Sequence, residues 1–375
     1  MGNRERLLAR FNEMLDRRWF SNDGPFVHEF EAKVASIART QHCVAMCNAT
    51  VALEIAIRAL ELTGEVVVPS YTFVATAHAL QWQEITPIFA DINPDTCTID
   101  PRSIQQVISS KTSGIIGVHL WGRACDTEAI AEIGREYELK VMYDAAHALG
   151  CSHGGRMVGG FGECEIFSFH ATKFINAFEG GAIATNNGDL ASRLRFMRNF
   201  GFAGYDDVRY LGVNGKMTEA CAAMGLTSLE SMDEIVQVNR ANYQEYEKCL
   251  VGLPGVSLLP YTLQERNNFQ YVVLNIDPER APLNRDEVVA VLHAENVLAR
   301  KYFWPGCHRM EPYQSLQPNA HLLLPNTETL ASRMCILPTG QAIDADTVAG
   351  IAELLETAFH FSNEVKDALG GKSGL

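Results

Sequence analysis

The 375-residue sequence has no run of basic residues and no apolar run long enough to cross a bilayer. Its formal net charge is −14. Because phosphate backbones and anionic lipids are bound by clustered Lys and Arg, this charge argues against a nucleic-acid-binding or membrane-binding protein. The amino terminus, Met1 to Arg6, leads into a charged amphipathic helix rather than a signal peptide, so we expect a cytoplasmic protein.

Several familiar site patterns are also missing. The ten cysteines are scattered, and the closest pair, Cys43 and Cys47, lacks the spacing of a zinc site or a redox pair, so we expect reduced thiols and no metal. No G-x-S-x-G elbow and no H-E-x-x-H helix occurs, which removes support for a triad hydrolase or a zincin. The glycine-rich stretch Gly154 to Gly162 lacks the strand-to-helix context of a dinucleotide site.

The first third of the chain alternates β-rich runs with helical patterns, which is typical of an α/β fold with a mostly parallel sheet. The length predicts two domains, a large one over residues 1–240 and a smaller α+β domain over residues 241–375. A helix is expected from near Asn284, another from about Asp346 to Phe359, and a solvated tail over the last dozen residues. The predicted strands are Cys43–Cys47, Glu65–Pro69, Pro87–Ala90, Gly114–His119, Lys140–Tyr143, Asn267–Ile276 and Met334–Leu337.

Two residues with complementary chemistry follow predicted strands, where ligands of such sheets bind. Asp144 ends one strand, and Lys173 follows the next in Ser168–Lys173, close to Gly180-Gly181, which permits a close approach of the backbone. A lysine amine forms a Schiff base with the aldehyde of pyridoxal phosphate (PLP), and an aspartate keeps the pyridine nitrogen protonated. Alone, each has a simpler explanation as a surface lysine or a turn residue. Together they favour a PLP site.

Other residues at strand ends fit the same cofactor. Asn48–Val51 lies at a strand-to-helix turn, where N–H groups and a hydroxyl bind phosphate, although a plain Asn helix cap explains the turn equally well. Ser168 offers a second hydroxyl to the phosphate. Phe73 follows another strand end, where an aromatic ring stacks on a pyridine. His147 either orients a ring substituent by a hydrogen bond or is a structural histidine.

From about residue 15 to about residue 360, the chain resembles the sugar aminotransferases of the DegT/DnrJ/EryC1/StrS family. The resemblance implies a fold-type I aminotransferase with a large domain, a small carboxyl-terminal domain, and a homodimer with two shared active sites. Sugar dehydratases of this group carry histidine in place of the lysine, whereas lysine is present here. The segments that carry the resemblance are Gly24–Glu31, Asn48–Leu53, Pro69–Phe73, Val118–Gly122, Asp144–His147, Ser168–Lys173 and Asn214–Glu219.

The resemblance also implies roles for individual residues. Lys173 is the Schiff-base lysine, and Asp144 is the partner of the pyridinium nitrogen. Asn214 matches an asparagine that reaches the phosphate in the neighbouring subunit's site. The remaining residues matched to cofactor contacts are His147 at the 3-hydroxyl, Phe73 on the ring, and Ala49, Thr50 and Ser168 at the phosphate.

Within the family, His170–Lys173 and Phe178–Gly181 resemble enzymes that aminate C4 of nucleotide-linked 4-keto-6-deoxyhexoses. Members that aminate C3 more often carry a Pro-Gly-Lys-Asn-Leu-Gly pattern at the lysine. The segment Arg300–Arg309 also resembles the C4 group, and it concentrates cations suited to a nucleotide pyrophosphate, although a solvated loop is the simpler interpretation. The predicted substrate-binding residues are Arg300, Lys301, Tyr302, His308 and Arg309.

The resemblance implies a reaction as well. The amino group of L-glutamate is expected to pass to C4 of a thymidine-diphosphate-linked 4-keto-6-deoxyhexose, giving 2-oxoglutarate and a 4-amino-4,6-dideoxy sugar, with the gluco epimer favoured. Two alternatives remain open, a C3 nucleotide-sugar aminotransferase and a PLP-binding regulator without turnover. A nicotinamide oxidoreductase would need a glycine fingerprint that the sequence lacks.

Overall fold

The computed structural model describes residues 2–370, and the chain forms two units. Unit 1 contains the chain through Asp233 together with the segment Leu263–Asn268. Unit 2 contains Glu234–Thr262 and the chain from Phe269 onward. Among the described residues, no helix combines the length and the apolar character needed to cross a membrane.

Unit 1 contains the longer series of elements. Its strands are β1 (His42–Met46), β2 (Glu65–Pro69), β3 (Thr86–Ala90), β4 (Thr112–Val118), β5 (Lys140–Asp144), β6 (Ser152–His153), β7 (Arg156–Met157), β8 (Glu165–Ser168), β9 (Gly181–Thr185), β10 (Phe202–Gly204) and β11 (Asp207–Val208). Its helices are α1 (Arg4–Arg17), α2 (Pro25–Ala38), α3 (Ala49–Ala59), α4 (Ala75–Gln81), α5 (Pro101–Val107), α6 (Thr127–Glu136), α7 (Gly188–Arg198) and α8 (Glu219–Glu230).

A seven-stranded sheet organises unit 1, with the strand order β1-β9-β8-β5-β4-β2-β3. In this sheet β8, β5, β4, β2 and β3 run parallel to one another, whereas β9 is antiparallel to both β8 and β1. Because parallel strands require crossovers, the helices α4, α5 and α6 separate β2, β3, β4 and β5 along the chain, whereas the short β6–β7 hairpin lies between β5 and β8. This is the predicted α/β fold, and the first five predicted strands lie within two residues of the observed ones. The carboxyl ends of β2, β5 and β8 share one edge of the sheet.

Unit 2 has its own small sheet and core. Its strands are β12 (Val256–Leu258), β13 (Val272–Ile276) and β14 (Met334–Leu337), which form an antiparallel sheet in that order. Its helices are α9 (Met232–Cys249), which begins at the end of unit 1, α10 (Arg285–Ala294), α11 (Tyr313–Leu316), α12 (Pro325–Arg333), α13 (Ala345–His360) and α14 (Ser362–Gly370). The predicted capped helix near Asn284 is confirmed, since Asn284 and Glu287 form a capping box at the start of α10.

The strand predicted over Asn267–Ile276 is shorter in the structure. It begins at Val272, because Asn268 and the residues before it belong to unit 1. Phe269 has a φ of 50°, which a continuous strand does not allow. The apolar run therefore predicted a strand of the correct type with a wrong start.

The predicted solvated tail is helical as far as Gly370. Val365 and Leu369 are four residues apart and lie on one face of α14, and Val365 packs against the core of unit 2. None of the residues of α14 is buried, so the segment is helical and largely solvated. The rest of the predicted tail, residues 371–375, lies outside the described residues.

Candidate active site

Asp144 is the last residue of β5, and its carboxylate is buried. Its Oδ2 accepts a 2.8 Å hydrogen bond from the Thr76 hydroxyl, and its Oδ1 accepts a 3.1 Å bond from the Ala146 N–H. Its carbonyl accepts a 2.9 Å bond from the N–H of His119. Burial raises the pKa of Asp144, while the two side-chain hydrogen bonds and the charge of Lys173 oppose that rise. The carboxylate is thus fixed in position and suited to hold a cationic N–H.

The start of α4, which follows β2, supports Asp144 from across β4 at the same edge of the sheet. The Thr76 hydroxyl donates its only hydrogen to Asp144, so at the 3.1 Å contact between the two hydroxyls it accepts from Thr72. Both threonines are buried, whereas Phe73 between them has 56% of its surface exposed. One stretch of chain therefore fixes the carboxylate and also carries an accessible aromatic ring.

Lys173 lies in the loop between β8 and β9. Two backbone hydrogen bonds of Phe169 close this loop. Its N–H donates to the Gly180 carbonyl, and its carbonyl accepts from the Ala177 N–H, both at 2.8 Å. Burial lowers the pKa of Lys173 to about 8, against the opposing charge of Asp144. An amine with this pKa is partly neutral near neutral pH, so it serves as a nucleophile and as a base.

His147 is buried, and its protonation state follows from its contacts. Its Nδ1 accepts a 3.2 Å hydrogen bond from the backbone N–H of Trp121, so the proton of the neutral ring resides on Nε2. Burial, with a further contribution from the charge of Lys173, holds the pKa of His147 well below its ordinary value. The ring is therefore a neutral donor through Nε2–H, as a phenolate oxygen requires.

The turn from β1 into α3 is a helix cap whose first-turn N–H groups are suited to an anion. Asn48 Oδ1 accepts a 2.9 Å bond from the Val51 N–H, while first-turn N–H groups have no partner within a helix. Gly181 packs directly on this turn, since a Cβ there would lie 2.5 Å from the Asn48 carbonyl carbon and 2.7 Å from the Ala49 nitrogen. Ser168 pairs with Gly181 in the β8–β9 ladder, which brings its hydroxyl beside the turn.

Asn214 adjoins the same turn within one chain. The Cys47 N–H donates to the Gly215 carbonyl at 2.8 Å, and Cys47 Sγ lies 4.0 Å from the Asn214 carbonyl oxygen. The side chains of Asn214 and of Thr50, in the first turn of α3, are both exposed. The assignment of Asn214 to the neighbouring subunit's site stays a prediction.

The predicted substrate-binding residues lie in unit 2, where two of them share one carboxylate. Arg309 forms two hydrogen bonds with Glu328, one of 2.9 Å from Nε to Oε1 and one of 2.7 Å from Nη2 to Oε2. His308 Nε2 lies 2.5 Å from the same Oε1. Glu328 thus holds both side chains, although burial lowers the pKa of His308, so that Arg309 is the cation of the two.

The other three predicted substrate-binding residues lie where the chain approaches β14. The Arg300 guanidinium stands 5.1 Å above the centroid of the Tyr302 ring, a cation–π arrangement. Lys301 Nζ lies 3.0 Å from Asp286 Oδ1 at the start of α10. Backbone bonds between Arg300 and Ile336 fix the segment to the sheet.

Comparison with known proteins gives these elements a family. The sequence profile of the DegT/DnrJ/EryC1/StrS aminotransferase family matches residues 2–356. The chain belongs to this family. A dTDP-4-amino-4,6-dideoxy-D-glucose transaminase of Escherichia coli is 36% identical over 355 residues, which cover 93% of this chain and 95% of the relative.

Two further comparisons extend the result. The GDP-perosamine synthase of Caulobacter vibrioides is 35% identical over 311 residues, covering 81% of this chain and 83% of the relative. A crystal structure of DesI in the presence of its TDP-sugar product matches with a TM-score of 0.94 at 47% identity, covering 98% of this chain and 93% of that one. The predicted aminotransferase family and the predicted fold class are confirmed.

The family motifs did not reveal every residue of the site. Thr76 follows Thr72 by four residues just beyond a strand end, and that spacing is a usable signal for paired hydroxyls. The N–H of Trp121 acts through the backbone, so no side-chain pattern reports it. Asn268 donates a 2.8 Å bond to the His147 carbonyl from far along the chain, and no local pattern links the two.

Removal of the Thr76 hydroxyl tests the support of Asp144. Thr76→Val keeps the side-chain shape and removes a hydrogen bond to a charged group, which contributes roughly 1.5–3 kcal/mol. We expect kcat to fall by about tenfold or more, since tenfold corresponds to about 1.4 kcal/mol. Thr76→Ser should retain most of the activity. An unchanged kcat in Thr76→Val would show that Asp144 does not depend on this hydroxyl.

Gly181→Ala tests the approach of β9 to the phosphate turn. The added Cβ would displace the turn backbone, and overpacking of this kind costs about 1–3 kcal/mol. We expect the dissociation constant for PLP to rise by about tenfold, as measured by cofactor titration. Gly350→Ala on α13, where a Cβ meets no atom within 4 Å, is the matched control and should leave that constant unchanged. Equal effects of the two substitutions would contradict the assignment.

Proposed function

We propose that this protein is a PLP-dependent aminotransferase that transfers the amino group of L-glutamate to C4 of a thymidine-diphosphate-linked 4-keto-6-deoxyhexose. The products are 2-oxoglutarate and a 4-amino-4,6-dideoxy sugar nucleotide, of gluco configuration. One observation carries the proposal: buried Asp144 ends β5, and the loop that carries Lys173 follows the parallel neighbour β8, so both groups lie at the same edge of one sheet. The sugar is supported by the name of the Escherichia coli relative and by the TDP-sugar product present with DesI.

The residues of unit 1 match each functional group of PLP. The phosphate fits the first turn of α3, where Gly181 leaves room against the backbone. PLP, when bound, supplies an electron sink for carbanion chemistry at the substrate carbon. The proposed contacts are Ala49, Thr50, Ser168 and Asn214 with the phosphate, Asp144 with the ring nitrogen, His147 with the phenolic oxygen, Phe73 with the ring face and Lys173 with the aldehyde carbon.

Lys173 moves the protons of both half-reactions. As a base, its amine removes the proton from the α-carbon of glutamate, and as an acid, its ammonium group donates a proton at C4 of the sugar. A pKa of about 8 permits both roles near neutral pH. Asp144 remains ionised and holds a proton at the ring nitrogen, while His147 donates through Nε2–H. Release of 2-oxoglutarate before the sugar binds gives ping-pong kinetics.

The cations of unit 2 are proposed to bind the nucleotide diphosphate. Arg309 and Glu328 are each about one-third exposed, at 35% and 34%, so their ion pair contributes little, on the order of 0–1 kcal/mol. A diphosphate oxygen can therefore replace Glu328 at low cost. The proposed set is Arg300, Lys301, Tyr302, His308 and Arg309.

We also propose a homodimer with shared active sites, acting in the cytoplasm. The β10–β11 hairpin and its flanks expose apolar side chains, with Tyr205 fully exposed. Contiguous exposed apolar surface of this kind marks an interaction site, and Asn214 lies at its end. The ten cysteines are free thiols in the described chain, which suits a reducing compartment. The exposed apolar residues are Phe200, Phe202, Tyr205, Val208, Tyr210, Leu211 and Val213.

The substrate assignment is tested by incubating the holoenzyme with glutamate and either the 4-keto or the 3-keto isomer of the thymidine-diphosphate sugar. We expect amination of C4 only, with the new nitrogen located by NMR and 2-oxoglutarate released in equal amount. Lys173→Ala should abolish turnover while leaving the fold intact. Exclusive C3 amination would overturn the regiochemistry and leave the aminotransferase intact, and no 2-oxoglutarate from wild type would indicate a PLP-binding regulator.

Shared sites predict complementation between two inactive variants. In a heterodimer of Lys173→Ala and Asn214→Asp chains, one site carries both lesions and the other carries none if Asn214 serves its partner. We expect activity to reappear on mixing, in a species of twice the 41.4 kDa chain mass. Subunit exchange that is verified by mass yet restores no activity would place Asn214 in the site of its own chain.

A further inference from the structure

The segment Leu263–Asn268 is a short excursion of the chain into unit 1, with unit 2 on both sides of it in sequence. We call this segment the strap. The strap binds the chain that follows Asp144, from His147 to Gly154, through two separate anchors. The proposed mechanism uses His147, whereas it assigns nothing to the strap.

The outer anchor is centred on Glu265. Its carboxylate accepts hydrogen bonds from the Ser152 hydroxyl and, at 2.7 Å, from the Gly154 N–H. The Ser152 N–H donates to the Arg266 carbonyl at 3.0 Å, and the Arg266 N–H donates to Ser152 Oγ at 2.8 Å. These bonds fix the strap to β6 and make no contact with His147.

The inner anchor is Asn268, whose side chain is only 1% exposed. Its Nδ2 donates to the His147 carbonyl at 2.8 Å and to the Leu149 carbonyl at 3.2 Å. Since both partners are acceptors, the orientation of the amide is determined. A Cβ on Gly122 would lie 3.1 Å from Oδ1, so the amide also fills the space beside the segment that carries Trp121.

His147 is consequently held at two points. The Trp121 N–H binds the ring at Nδ1, and the Asn268 amide binds the main-chain carbonyl. The first contact sets which nitrogen carries the proton, whereas the second sets where the backbone places the ring. A hydrogen bond weakens steeply when its donor–hydrogen–acceptor angle decreases. If either contact were lost, the His147 ring could tilt, and a hydrogen bond donated by Nε2–H would weaken.

We propose that Asn268 is a positioning residue that holds His147 so that its Nε2–H meets the phenolic oxygen of PLP. This inference rests on the proposed function for the identity of the cofactor. The amide neither contacts the reacting atoms nor moves a proton. It acts through the loop from His147 to Leu149, and its effect should appear in the properties of the bound cofactor.

The experiment compares Asn268→Asp and Asn268→Ala with Glu265→Ala. Asn268→Asp is isosteric, yet it loses both donors and sets a carboxylate against two carbonyls. We measure the dissociation constant for PLP, the visible absorption band of the holoenzyme at fixed pH, and the Tm of the apoenzyme. Both Asn268 variants should raise the dissociation constant by about tenfold and shift the visible band. Glu265→Ala should lower Tm and leave the cofactor readouts unchanged.

A double-mutant cycle separates positioning from a general loss of stability. His147→Ala alone should weaken PLP binding, and Asn268→Ala added to it should cause no further loss, because the residue it positions is gone. Asn268→Ser, which keeps one donor, should show an intermediate dissociation constant and provides a folded variant if the larger changes unfold the protein.

Three results would overturn the inference. These are cofactor properties of the Asn268 variants equal to those of wild type, additive effects of Asn268→Ala and His147→Ala, or equal cofactor shifts in Glu265→Ala. Wild-type protein that binds no PLP would overturn the proposed function itself, and the inference with it. If wild type binds PLP and the Asn268 variants show the same cofactor properties as wild type, the inference alone is overturned.

Discussion

The buried carboxylate of Asp144 is the constraint on which the site depends. An unpaired charge in a protein interior is costly, so the fold must supply partners wherever this side chain points. It supplies a hydroxyl from α4, an N–H from the loop that follows β5, and the charge of Lys173. Each partner comes from a different element. The positions of α4, β5 and the lysine loop are therefore coupled through one carboxylate.

Burial also determines the protonation of the Lys173 amine. Desolvation lowers the pKa of Lys173, and the neighbouring Asp144 limits the decrease, so the pKa settles near 8. A fully exposed lysine would stay protonated, whereas a buried lysine without a carboxylate would lose its proton too readily to act as an acid. Holding the two groups together in an apolar setting gives a group that both accepts and donates a proton. His147, buried beside the same amine, stays neutral for the same reason.

Much of this arrangement could be predicted from the sequence, and the exceptions have physical causes. β2 and β5 were predicted because each is an apolar run that leads into a turn, and the position of Asp144 at the end of β5 follows directly from that pattern. The start of β13 at Val272 was predicted five residues too early, because hydropathy does not show that Asn268 binds a carbonyl in unit 1. α14 was missed because none of its residues is buried and only Val365 packs against the core of unit 2, so the apolar pattern is weak. Long-range backbone contacts leave no periodic signal in a single sequence.

The cationic segment Arg300–Arg309 of unit 2 is subject to a different electrostatic constraint. A protein with a net charge of −14 repels a nucleotide diphosphate at long range, so cations proposed to bind it need to be concentrated locally. Unpaired cations would repel one another, and here Glu328 and Asp286 neutralise Arg309 and Lys301. Since these ion pairs are partly exposed, they stabilise the fold only slightly. Under the proposed function, such weak internal pairing neutralises these cations without substrate and leaves them available for exchange with phosphate oxygens.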